Sequence, residues 1–128
     1  MTKLHNPSTI APTFSSYSHG VEVPPGARWL HISGQVGVRP DGTLAGGVEA
    51  QIETAWSNVL AVLAEAGMSA RDLVKVTAFL TRPEDTPLYR RVRERMLGGA
   101  EPASTLLIVQ GLASPEWLVE VEAVAAAG

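Results

Sequence analysis

The chain has 128 residues, room for one domain and no second one, because a single hydrophobic core commonly occupies ~100–150 residues. Ten Lys and Arg against thirteen Asp and Glu leave a net charge of -3, so no overall positive field attracts phosphate backbones and general nucleic-acid binding is disfavoured. With no cysteine there are no disulfides, thiolate nucleophiles or cysteine metal sites, and cytoplasm is the expected compartment.

Residues 1–13 read as an irregular arm without the apolar core of a signal peptide. Residues 14–23 and 29–36 read as two strands joined at Pro24-Pro25-Gly26-Ala27, a turn in which proline presets φ, so a hairpin is expected. Asp41-Gly42 makes another turn. Over residues 48–66 the apolar Ile52, Ala55, Trp56, Val59, Leu60 and Leu63 recur at three- and four-residue spacing, with Gln51, Glu53, Thr54, Ser57 and Asn58 on the other side, which predicts one amphipathic helix stopped by Gly67.

Residues 73–81 (LVKVTAFLT) are β-branched and of strand length, so helix and strand suggest a crossover unit. A second helix starts near Thr86-Pro87, where Thr can cap and Pro loses no needed donor, and ends at Gly98-Gly99, with Leu88, Val92 and Met96 as its buried stripe. Strands follow at 105–109 and 118–126, giving the order β-β-α-β-α-β-β. Two helices cover one face of such a sheet, yet Leu106 to Val109 are apolar in unbroken succession. The uncovered face is expected to meet another copy of the chain in a closed homo-oligomer; an edge strand tucked under a loop is the alternative.

Alternation on the second strand sends Trp29, His31, Ser33 and Gln35 to one side and Leu30, Ile32, Gly34 and Val36 to the other. Ser33-Gly34-Gln35 reads either as a bulge or as a place where a ligand anion approaches backbone N–H groups, with the Ser33 hydroxyl alongside. Glu120 and Glu122 project from one face of the last strand, either solvated or with one poised as an acid or base. Tyr17 could position a ligand or water, or be a half-buried tyrosine with a satisfied hydroxyl. Arg90, Arg91, Arg93 and Arg95 make the second helix locally basic, a pattern usually solvated. His5, His19 and His31 lack paired ligand spacing, so no metal or other cofactor is expected, and no stretch nears the ~20 apolar residues that span a bilayer.

In order along the chain, Ser16-Tyr17-Ser18, Ile32-Ser33-Gly34-Gln35, Gln51 with Asn58 and the following Val-Leu-Ala-Glu-Ala-Gly, residues 74–81, Pro102-Ala103 and residues 118–125 resemble the reactive-intermediate deaminase (RidA/YjgF) family, also called the L-PSP endoribonuclease family. The resemblance covers roughly residues 10–126. It implies one α+β domain of chorismate-mutase-like fold, two helices on one face of a mixed sheet, and a homotrimer with ligand clefts between subunits. It also implies hydrolysis of enamines and imines to oxo acids and ammonia, with Ser33 and Gly34 binding substrate and with Tyr17 and Glu120 near the attacking water.

The family's deaminase branch carries Pro-Ala-Arg-Ser/Thr, whose arginine holds the substrate carboxylate. This chain reads Pro102-Ala103-Ser104-Thr105, and a serine supplies neither the charge nor the fork of a guanidinium. Gapless alignment over residues 79–97 puts Arg90 where many members have a pocket-lining asparagine, making it the candidate replacement cation beside Ser104. The expected function is a hydrolase acting on a small enamine, imine or related unsaturated metabolite, distinct from the standard 2-aminoacrylate deaminase. The alternative is a non-catalytic trimeric small-molecule binder. A ribonuclease finds little support without a histidine pair or basic groove.

Overall fold

The strongest helical period forms as read. In the computed structural model, which describes residues 2–128, α1 (Val48–Glu65) buries Ile52, Ala55, Trp56, Val59 and Leu63 completely. Gly67 follows at φ 71°, a left-handed conformation that ends the helix without a Cβ penalty. The second helix, α2 (Thr86–Leu97), buries Tyr89, Val92, Arg93 and Leu97 and stops at Gly98, also left-handed. Thr86 does not cap it. Asp85 precedes the helix, and its carboxylate accepts Arg82 Nε–H at 2.8 Å instead of a helix amide. No helix among the described residues is long and apolar enough to cross a membrane.

Four strands, β3 (Arg28–Val36), β4 (Leu73–Leu80), β5 (Ala103–Ile108) and β6 (Val119–Ala127), form a mixed sheet in the order β3-β6-β4-β5. β4 and β5 run parallel with α2 between them in sequence, and the other pairs are antiparallel. α1 packs on β3, β6 and α2. Alternation along β4 and β6 sends Val76, Ala78, Leu80, Val119, Val121 and Ala123 into the core under the helices. The opposite face carries Lys75, Thr77, Phe79, Glu120, Glu122 and Val124, and no helix among the described residues covers it.

The expected hairpin between residues 14–23 and 29–36 does not form. β1 (Lys3–His5), inside the segment read as an irregular arm, pairs antiparallel with β2 (Gly20–Glu22) in a separate two-stranded sheet, and β3 pairs only with β6. The polar run ahead of β2 takes other partners instead: Tyr17 N–H donates to Ser15 O at 3.0 Å within the run, and His19 N–H donates to Asn6 Oδ1 at 2.8 Å across the N-terminal segment. Ser18 forms an isolated parallel bridge with Ala103, and its N–H donates to Pro102 O at 3.1 Å, so this segment borders the start of β5.

Two helix polar groups turn inward against the periodicity reading. Gln51, 3% exposed, accepts Leu118 N–H at 2.9 Å and donates to Glu116 O at 3.3 Å; Asn58 donates to Val36 O at 3.2 Å and Val38 O at 3.1 Å. These bonds tie α1 to the end of β3 and to the loop that delivers β6. Gly37 lets the helix come this close, because a Cβ there would lie 2.6 Å from Gln51 Cα. Gly37→Ala is expected to lower stability by ~1–3 kcal/mol, the usual cost of overpacking against backbone. Urea unfolding checks this, and an unchanged midpoint contradicts the close approach.

Candidate functional site

Ile32 lies opposite Ala123 and Gln35 opposite Val121, so Ser33 and Gly34 together face the single residue Glu122. Two residues against one is a β-bulge, which bends the strand and re-aims its side chains. It also reverses the alternation expected for this strand. Trp29, His31 and Ser33 occupy the open face as read, but Gly34, read as facing the other way, turns toward Glu120 on that face, Gln35 shares the face of buried Val121, and Val36 shares that of Glu120. Gln35 Nε2 donates to Ser33 O at 3.1 Å across the bulge.

Gly34 is where the bulge meets chemistry. A Cβ there would overlap the Glu120 carboxylate and lie 2.7 Å from its Cδ, so the missing side chain is what lets the carboxylate rest against the strand. Glu120 is half-buried in this position, whereas Glu122 is exposed. A cavity of about 390 Å³ beside it is lined by Phe79, Val109, Leu112, Glu120 and Glu122. On the same face, a second cavity of about 250 Å³ is lined by His31, Ser33, Lys75, Thr77 and Glu122. The Glu120 carboxylate thus rests on bulged backbone beside an aromatic wall, with the Ser33 side chain lining the neighbouring cavity.

Tyr17 and Ser104 are elsewhere. Tyr17 lines a separate cavity of about 440 Å³ with Asn6, Ile10, His19 and Glu101; its hydroxyl oxygen accepts Phe14 N–H at 3.3 Å, and its ring meets that of His19 edge-on. Ser104 pairs in register with buried Val76 and so lies on the helix side of the sheet, whereas Glu120 lies on the open side. Two strand spacings of ~4.8 Å and three residues of ~3.3 Å put the Cα atoms of Ser104 and Glu120 roughly 14 Å apart. Arg90 is half-buried on α2, makes no side-chain hydrogen bond or ion pair among the described residues, and lines none of these cavities. The predicted residues other than Arg90 therefore fall into two groups on one chain, Glu120 with Ser33 and Gly34, and Tyr17 near the start of the strand bearing Ser104.

The sequence model for Endoribonuclease L-PSP matches residues 8–127. The chain belongs to this family. Within the family, a RutC family protein of Aquifex aeolicus is 38% identical over 82 residues, 63% of this chain and 62% of that protein. The mouse 2-iminobutanoate/2-iminopropanoate deaminase is 32% identical over 124 residues, 95% of this chain and 86% of the mouse protein. Among solved structures, a Rid family protein of unknown function from Yersinia pestis superposes with a TM-score of 0.88 at 34% identity, covering 98% of each chain. The RidA/YjgF fold expected from the sequence is the fold observed.

The inward clamps at Gln51, which holds the loop ahead of β6, and at Asn58, which holds the end of β3, were misplaced by helical periodicity; their place in the family resemblance was the available signal. A larger cavity of about 620 Å³ lies over the end of α2 between Ser16, Arg91, Arg95 and Glu101, and holds none of the predicted residues. Because the atoms a Cβ at Gly34 would meet belong to a flexible side chain, Gly34→Ala is expected to cost less than ~1.5 kcal/mol while swinging Glu120 to another rotamer. A crystal structure of the variant checks this, and a carboxylate still resting on the bulge contradicts it.

Proposed function

We propose that the protein is a RidA-type hydrolase of small imines and their enamine tautomers, working in a cleft completed by a neighbouring copy in a homotrimer. The observation that carries the reading is the Glu120 carboxylate held on the Ser33–Gly34 bulge. In the proposed reaction Glu120 takes a proton from water as the water oxygen bonds to the imine carbon. The C=N electron pair moves to nitrogen, which takes up a proton. In the resulting carbinolamine the hydroxyl proton passes, by way of Glu120, to the amino nitrogen as the C–N bond breaks, so that ammonia leaves and the oxo product forms. Ser33 and Gly34 hold an anionic group, and Tyr17 of an adjacent copy positions the water.

Assembly is supported by the open face itself. Trp29, 54% exposed, stands at one corner of this face and Leu107, 45% exposed, stands beside Phe79 at the opposite corner; these are large apolar side chains that a second copy would cover. The mouse relative's name supports imino acids as the substrate class. Ser104 in place of the family arginine favours a substrate preference unlike that of the standard 2-aminoacrylate deaminase, and it is also the observation that favours the second reading, a non-catalytic trimeric binder.

The test couples the protein to a pyridoxal-phosphate lyase that releases 2-aminoacrylate and follows oxo-acid formation. Acceleration is expected at high protein concentration, weaker than that of a deaminase carrying the Pro-Ala-Arg arginine, and Glu120→Gln should lower it by ~10²–10⁴-fold, the usual contribution of a positioned acid-base group. No acceleration at high protein concentration, together with a ligand-induced rise in melting temperature, selects the binder and overturns the hydrolase.

A further inference from the structure

Of the four arginines on α2, Arg93 alone is enclosed, at 3% exposure. Its surroundings do not neutralise it. The ion pairs among the described residues are His5–Glu22, Arg82–Asp85 and Arg95–Glu53, and none includes Arg93. Its neighbour Glu94 is exposed, and adjacent helix positions do not face each other. The Tyr89 ring lies 5.8 Å from Arg93 Cζ, but burial pushes the Tyr89 phenol up, so that group stays neutral. Burial also pulls the Arg93 guanidinium below its ordinary pKa, as expected of a cation removed from water without a counter-ion.

The hydrogen bonding around this cation is half made. Nη2 donates to Ser15 Oγ at 2.8 Å, while Nε is buried with no acceptor. Nε and Nη2 form one edge of the guanidinium fork, the edge that grips a carboxylate with two parallel bonds. Ser15 supplies a single neutral oxygen to an edge built for two anionic ones. Ser15 also belongs to the segment that leads through Tyr17 to Ser18, whose N–H reaches Pro102 O and whose own Oγ is buried without a partner. Arg93 therefore lies beside the Tyr17 group and close in the fold to the strand start where the family arginine would stand. The cover is light: Phe14 is 78% exposed, and residues 14–17 are held locally by the Tyr17 N–H to Ser15 O and Phe14 N–H to Tyr17 hydroxyl bonds.

Building on the imine-hydrolase reading, we propose that Arg93 is the carboxylate-binding residue of this chain. Its Nε and Nη2 grip the acid group of a small imino or oxo acid, and Ser15 is the resting partner that the carboxylate displaces. This gives Arg93 the role that helix alignment suggested for Arg90 and replaces the cation lost at Ser104.

The experiment measures binding of 2-oxobutanoate and of its uncharged amide, 2-oxobutanamide, by calorimetry, without turnover. Arg93→Gln is expected to weaken the acid about ten- to hundredfold, the effect of losing a charged hydrogen-bond partner, and to leave the amide unchanged. Adding Ser104→Arg to that variant is expected to restore acid binding. Equal loss for acid and amide means Arg93 only supports the fold, and undiminished acid binding means it is not used; either overturns the proposal, as does failure of the parent protein to bind the acid. Should Arg93→Gln not fold, the parent protein decides: the Arg93 Nε–H resonance is expected to shift with the acid and not with the amide, and a resonance unmoved by both overturns the proposal. A parent that binds the acid through Arg93 yet hydrolyses no imine sinks the hydrolase reading alone. Imine turnover indifferent to Arg93 sinks this proposal alone.

Discussion

A carboxylate can rest against a β-strand only where the strand presents no side chain, and in this sheet that place is Gly34. The bulge turns both Ser33 and Gly34 toward Glu122 and leaves Glu120 lying over backbone beside Phe79 and Val109. Much of the remaining structure serves this placement. Gln51 grips the loop ahead of β6 through Leu118 and Glu116, Asn58 grips the end of β3 through Val36 and Val38, and Gly37 admits α1 close enough for both grips. The two strands whose relative register creates the site are thus each anchored to one buried helix.

That helix was legible because a 3.6-residue apolar period over eighteen residues has no strand explanation. β4 and β6 were legible from β-branched runs of strand length. The hairpin was not, because proline and glycine at residues 24–26 mark a turn without saying which strands it joins, and the partner that β2 takes, Lys3–His5, carries only three residues of pattern. The bulge was one of two readings of Ser33-Gly34, and it inverted the faces of Gln35 and Val36, which a strict two-residue alternation cannot foresee. Arg93 was hidden in a run of four arginines, since spacing alone does not tell an enclosed guanidinium from a solvated one.

The same geometry explains why one chain holds the family's residues without assembling them. Glu120 and the bulge occupy the open face of the sheet, while Ser104 lies on the helix face and Tyr17 beside the start of β5. A rigid sheet cannot bring its two faces to one small molecule. In the proposed assembly a neighbouring copy does so, laying its Tyr17 side over the Glu120 face of the next in a ring of head-to-tail contacts. The apolar residues exposed on the open face favour the same packing.

Mixing two inactive variants tests this division most directly. Glu120→Gln and Tyr17→Ala chains, each folded and each impaired in imine hydrolysis, are unfolded together and refolded as mixed assemblies. A cleft shared between copies requires that some boundaries join an intact Glu120 to an intact Tyr17, so the mixture should hydrolyse the lyase-generated imine well above the sum of its parents. Activity no greater than that sum, from assemblies shown to contain both chains, contradicts a shared cleft.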